Sequence, residues 1–201
     1  MTKSKPLASA KSELKSAARY FQRMENAGPF DDFRDAWTAL LGSLTKVSNK
    51  VENELMRKND SAFQPWFGTY KHRVRTDAIL SYLKHARNAD HHSIEESVVA
   101  DPKTSLEIKT LSGEPLGPGC SSRFVVGPGF VEISHKGPPI EAKVTLPETT
   151  LLPVTDSHKK EHQPPPLELG KNRKSVVKIA KSGLDFYREL VMEAGKKFYP
   201  R

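Results

Sequence analysis

The chain has 201 residues, a formal net charge of +8, 36% hydrophobic and 28% charged residues. That length suits one domain carrying an insertion, with a modest core. No run approaches the ~18 consecutive apolar residues of a membrane span. A single cysteine, Cys120, rules out an internal disulfide and a thiolate-based zinc site, and it fits a reducing compartment. The basic balance points to polyanionic partners such as RNA, DNA or an acidic surface, against the blander alternative of lysines spread evenly in solvent. The opening Met-Thr-Lys-Ser-Lys is not followed by an apolar signal core, so a cytoplasmic location is expected.

The first element is an amphipathic helix from about Ala8 to Asn26, marked by Leu14, Ala17, Ala18, Phe21 and Met24 and closed by Gly28-Pro29. A second helix, capped by Asp31 or Asp32, runs to about Lys58 on a stripe of Trp37, Leu40, Leu41, Leu44, Val47, Val51 and Leu55. Phe63, Trp66 and Phe67 around Pro65 open a third helix, where a proline is tolerated because first-turn N–H groups lack helical partners. These aromatics and Trp37 read as core. The third helix should continue without interruption and stop before Asp101-Pro102.

From residue 105 to 153 the pattern changes to short alternating runs, around Leu106–Lys109, Phe124–Val126, Phe130–Ile133 and Ala142–Leu146, separated by Gly-Pro turns. These predict one small antiparallel sheet of three or four strands. A polar stretch from Thr155 to Pro166 reads as an extended strap stiffened by three prolines. The last helix spans about Arg173 to Phe198, with Gly183 inside its apolar stripe, which predicts close approach by a neighbouring helix. Lys171, Arg173, Lys174, Lys178 and Lys181 read as its solvated face. The expected fold is therefore mainly α: a four-helix bundle (1–104 and 167–201) with a small antiparallel β-insertion between helices 3 and 4 and a Pro-rich strap (105–166).

The end of the third helix holds the chemistry-bearing residues. His85, His91 and His92, three of the seven histidines, lie within eight positions, beside Arg87, Asn88 and Asp90. Asp90 falls on the apolar face with Ile79, Leu83, Ala86 and Ile94, where a carboxylate needs a partner, and Arg87 is three residues away. On an unbroken helix Arg87 neighbours His91, while His85, Asn88 and His92 lie together on the opposite, polar side. His91 with Glu95, or His92 with Glu96, has chelating spacing, and His158 or His162 could add a ligand across the fold. No His-Glu-x-x-His motif is present and no third ligand is assigned, so neither a metal nor another cofactor is expected. Phosphate-binding loops and dinucleotide fingerprints are absent.

Imidazole titrates near neutrality and can act as acid or base, and guanidinium binds phosphate through paired donors, a combination suited to RNA transesterification. The spacing Arg87-x4-His92, with Asn88 directly after the arginine, resembles the Arg-x(4–6)-His motif of HEPN-domain proteins, which are helical bundles. The likeness covers roughly residues 10–98 and 170–199 and leaves out the β-insertion. It implies a metal-independent endoribonuclease of a toxin–antitoxin or phage-defence system, with RNA as substrate. It further implies a homodimer in which the two motifs face one another, and an antitoxin or other protein partner. Arg87 and His92 would then be catalytic, supported by Asn88 and Asp90, with His91 as the competing imidazole. The other reading is a non-catalytic interaction protein in which Arg87 and Asp90 form a buried pair and the histidines simply end a helix.

Overall fold

The computed structural model describes residues 6–58, 60–92, 96–100, 105–110, 120–127, 130–137, 139–145, 149–156, 158–165 and 172–200. Within these, the side chains of 90–92, 105–110, 122, 124–127, 130–133 and 142–145 are outside the description. The chain divides into two compact units, 1–99 with 149–201, and 100–148.

The first unit holds five helices: α1 (Ala8–Asn26), α2 (Phe30–Lys58), α3 (Phe63–Thr76), α4 (Ala78–His92) and α5 (Arg173–Phe198). The fold is mainly helical, as expected, but the anticipated third helix is two. Asp77 adopts extended backbone between them, donates its N–H to the Arg73 carbonyl and so closes α3. Its carboxylate accepts the Leu80 N–H at 3.0 Å, capping α4. One residue thus ends one helix and starts the next.

The expected stripe of α2 is buried throughout, from Trp37 to Leu55. Its upper half packs with Phe21 and Met24 of α1, Tyr82, Leu83 and Ala86 of α4, and Val176, Ile179 and Ala180 of α5. Its lower half meets Phe63 and Phe67 of α3 and Leu190, Val191, Ala194 and Phe198 of α5. Phe63 stacks on Phe67 with centroids 5.2 Å apart, and both are core, as the sequence suggests, while Trp66 is half-buried and meets Phe198 edge-on at 5.1 Å. The Leu7 N–H and the Tyr199 hydroxyl both donate to Glu54 Oε1, at 2.6 and 2.9 Å, tying the start of α1 and the end of α5 to the end of α2. On α5, Lys174, Lys178 and Lys181 are exposed, and Asn172 caps the helix by accepting the Ser175 N–H at 2.9 Å.

Strands also belong to this unit, which corrects the expected boundary at residue 166. β6 (Thr149–Leu151) pairs with β1 (Val98–Ala100), and β7 (Val154–Thr155) pairs antiparallel with β8 (Glu161–His162). The reason is burial: Leu151 and Val154 enter the helical core beside Val98. The segment read as a polar strap is a hairpin with an apolar anchor.

The second unit holds β2 (Ser105–Thr110), β3 (Ser121–Gly127), β4 (Phe130–Lys136) and β5 (Ile140–Thr145). Instead of one continuous sheet they form two antiparallel pairs among the described residues, β2–β5 and β3–β4. In the β3–β4 pair the register ends with Gly127 opposite Phe130. Gly137 has φ +148°, and a Cβ there would lie 2.8 Å from Cys120 Sγ, so only glycine fits.

Gly183 of α5 brings that helix against its neighbours: a Cβ there would meet Leu83 Cδ1 at 2.5 Å and Leu44 Cδ1 at 3.2 Å. Alanine gains ~1 kcal/mol of helix propensity over glycine, whereas overpacking a filled core costs ~1–3 kcal/mol. Gly183→Ala should therefore lower the urea midpoint, while Gly195→Ala, where nothing lies within 4 Å of the added Cβ, should raise it. Equal shifts in the two variants would show that α5 does not approach α4 this closely.

Candidate functional site

The site is assembled on α4 by the strand hairpin that lies over it. Tyr82, only 1% exposed, points its hydroxyl at two carbonyls, Leu152 O at 2.7 Å and Ser97 O at 3.2 Å. The Leu152 N–H in turn donates to Ser97 O at 3.0 Å, and Trp37 Nε1 donates to the buried Ser97 Oγ at 3.0 Å. These bonds fasten residues 97 and 152 to α2 and α4 in an otherwise apolar layer. Burial pushes the Tyr82 phenol well above its ordinary range, so it stays a neutral donor.

One helical turn beyond Tyr82, His85 meets the hairpin's titratable residues. The His85 and His162 rings stack with centroids 3.4 Å apart and planes 9° from parallel. His162 Nε2 lies 3.0 Å from Asp156 Oδ2 and donates to it. The other Asp156 oxygen, Oδ1, accepts the backbone N–H groups of His158 at 2.9 Å and Lys160 at 3.0 Å, an Asx turn that fixes the carboxylate. The His162 hydrogen bond, then the Lys160 and His158 N–H groups, hold the Asp156 carboxyl far below the usual carboxylate range. Burial first, then the neighbouring His162 and Lys84, lower the His85 pKa against the opposing pull of Asp156. His85 Nδ1 is buried and has no hydrogen-bond partner among the described residues.

The expected catalytic residues stand as follows. The backbone of α4 is continuous from Ala78 to His92, with no break at Asn88, so Arg87 and His91 keep i, i+4 register. Arg87 and Asn88 are half-buried, and Arg87 Nη1 donates to Asn88 Oδ1 at 3.1 Å, while Arg87 Nε is buried without a partner among the described residues. The side chains of Asp90, His91 and His92 lie outside the described residues, and so does the expected Arg87–Asp90 pair. Glu96, a chelating candidate with His92, is exposed and pairs with Arg34 at 3.3 Å. His162 does reach α4 across the fold, but the histidine it meets is His85. In the sequence Asp156 carries no motif, and His85 stands out only as a member of the histidine cluster on α4. A usable signal was present: aspartate opening the Asp-Ser-His-Lys-Lys-Glu-His segment favours an Asx turn, which makes a hairpin of it.

Removing the Tyr82 hydroxyl should loosen this arrangement. Tyr82→Phe keeps the packing but leaves the Leu152 carbonyl without its short donor, a loss of ~1–3 kcal/mol for a buried polar group. Urea denaturation should show a lower midpoint with an unchanged slope. A midpoint equal to that of the wild type would mean that the hydroxyl contributes nothing to holding the hairpin.

No family model, no curated protein and no solved structure matches this chain.

Proposed function

We propose that the protein is a HEPN-like RNA-cleaving protein that works without a metal, with Arg87 and His92 as its reacting pair. The observation that carries this reading is Arg87 itself, half-buried on α4 and hydrogen-bonded to Asn88, with Asp90, His91 and His92 following on the same helix. Arg87 is half-buried and Nη1 is steadied by Asn88, so its guanidinium is positioned, and in this reading its remaining N–H groups bind a phosphate oxygen. The mainly helical fold and the net charge of +8 also suit an RNA-directed bundle.

In this scheme one His92 imidazole takes the ribose 2′-hydroxyl proton, that of the second copy protonates the departing 5′-oxygen, and guanidinium balances the charge on the phosphorane. Two copies in a homodimer supply two of each group. Such pairing also accommodates the helix register, since Arg87 of one subunit can work with His92 of the other although His91 is its i, i+4 neighbour in the same chain. Asn88 positions Arg87, and Asp90 supports the network. An antitoxin-like protein partner would restrain the activity. In the second reading the chain is a non-catalytic interaction protein. Its support is the His85–His162–Asp156 contact, which joins α4 to the hairpin and gives this end of the helix a structural role.

The purified protein should cleave RNA in EDTA, leaving 2′,3′-cyclic phosphate ends, because the nucleophile is the adjacent ribose hydroxyl. His92→Ala should reduce the rate at least ~100-fold, the usual scale for losing a general acid or base, with the helical circular dichroism intact. Arg87→Ala should reduce it comparably. Full cleavage by His92→Ala together with loss in His91→Ala would transfer the role to His91. Absence of cleavage by the wild type would leave the interaction reading in its place.

A further inference from the structure

We propose that His85, Asp156 and His162 form a binding site for a first-row divalent metal ion of the Zn2+ type, a role beyond the metal-free reading of Arg87 and His92. One ligand atom from each residue can be chosen so that all lie within 4.8 Å of one another, and none of the three is fully exposed. Two imidazoles and one carboxylate are a donor set that borderline divalent ions favour, with ligand distances of ~2.0–2.2 Å. The 3.0 Å between His162 Nε2 and Asp156 Oδ2 is the spacing of two cis ligands on such an ion.

Each ligand carries a mark of preparation. Asp156 is oriented by the two backbone N–H groups on Oδ1, which leaves Oδ2 facing the histidines, the kind of outer hydrogen bonding that aims a metal-binding carboxylate. His85 Nδ1 is buried with no partner among the described residues, a desolvated lone pair or N–H that gains from any coordination or tilt that satisfies the ring. His162 is held in place by the same hairpin that Leu152 and Tyr82 anchor.

The arrangement also sets the cost. Lone pairs of parallel stacked rings run in parallel planes, so a shared ion requires the His85 ring to tilt out of the stack, and the His162–Asp156 hydrogen bond gives way to two metal–ligand bonds as the Nε2 proton leaves to solvent and the neutral ring keeps its proton on Nδ1. Lys84 and Lys160 face the site closely enough to act on His85, and they oppose a cation. Asp156 is the one anion among these groups. The balance of a charged donor set against two nearby ammonium groups points to micromolar rather than nanomolar binding. Three protein ligands leave at least one position for solvent.

The test titrates the full-length, chelator-stripped protein with Zn2+ by calorimetry and with Co2+ by visible absorption. One equivalent should bind with micromolar Kd. The Co2+ complex should show d–d bands of a low-coordinate nitrogen and oxygen site, without the intense ultraviolet charge-transfer band of a thiolate. His85→Ala, His162→Ala and Asp156→Asn should each weaken Zn2+ binding at least ~100-fold, beyond what losing a supporting hydrogen bond causes. His72→Ala, which removes an exposed histidine of α3, should leave it unchanged. Because unfolding of a hairpin variant would mimic the loss of a ligand, the wild type is also followed by 15N NMR of its imidazoles, where Zn2+ should shift His85 and His162 together and leave His72 in place. Binding that survives all three substitutions, shifts at His72 in place of His85 and His162, or no binding tighter than millimolar would overturn the site.

Discussion

The Tyr82 hydroxyl donates to the Leu152 carbonyl at 2.7 Å inside an apolar layer, and the position of every group in the candidate site follows from that bond and its neighbours. Without it, a peptide carbonyl would sit in the core with its short donor missing, at a cost comparable to a fair fraction of a domain's net stability. With it, the chain leaving α4 and the chain returning towards α5 are fastened to the same helix. Ser97 is the common node: its carbonyl takes the Leu152 N–H and its hydroxyl takes the Trp37 indole N–H. Polar groups in a dry layer have few alternative partners, so this contact fixes a register where apolar packing by Leu151 and Val154 would tolerate sliding. A shift of one residue would carry His162 away from His85.

Much of the helical body was legible because its signals are local and repeated. The α2 stripe from Trp37 to Leu55 recurs over about five turns, and each of its apolar positions is buried. Gly183 in the α5 stripe foretold the close contact with Leu83 and Leu44. The division of α3 from α4 was missed because no proline or glycine marks a stop near Asp77, and the low helix propensity of Val74, Thr76 and Asp77 is a weaker signal. Aspartate caps a helix only when the backbone before it turns, and the turn is decided by where α3 and α4 must pack. The strand pairs were seen as strands, but pairing is a long-range property, and alternation says nothing about whether β2 joins β3 or β5.

The site was harder to read for a related reason. His85, Asp156 and His162 are separated by up to 77 positions, and neither Asp156 nor His162 stands in a motif with a fixed spacing to α4. The prolines after His162 suggested an extended tether, whereas two apolar residues upstream, Leu151 and Val154, decide that this segment docks. The clustered histidines at positions 85, 91 and 92 drew attention to the right helix, yet density in sequence is not proximity in space. On a helix, positions 85 and 87 point about 200° apart, so the cluster divides between faces and its members answer to different neighbours.

That division lets two chemistries occupy one helix. Seven residues of α-helix span about 10.5 Å, so an ion held by His85 is too far along α4 for His92 to serve as its ligand. An acid–base role at the end of the helix and a metal at its middle therefore do not compete for imidazoles. Arg87 lies between them, about 3 Å along the axis from His85, and its guanidinium rests on Asn88. Metal bound to His85 and the hairpin would act on the Arg87 end only by stiffening α4 where residues 152 to 162 cover it, a mechanical link through Tyr82 that involves no shared ligand. The structural and the reactive readings of this helix end thus rest on different residues of the same element.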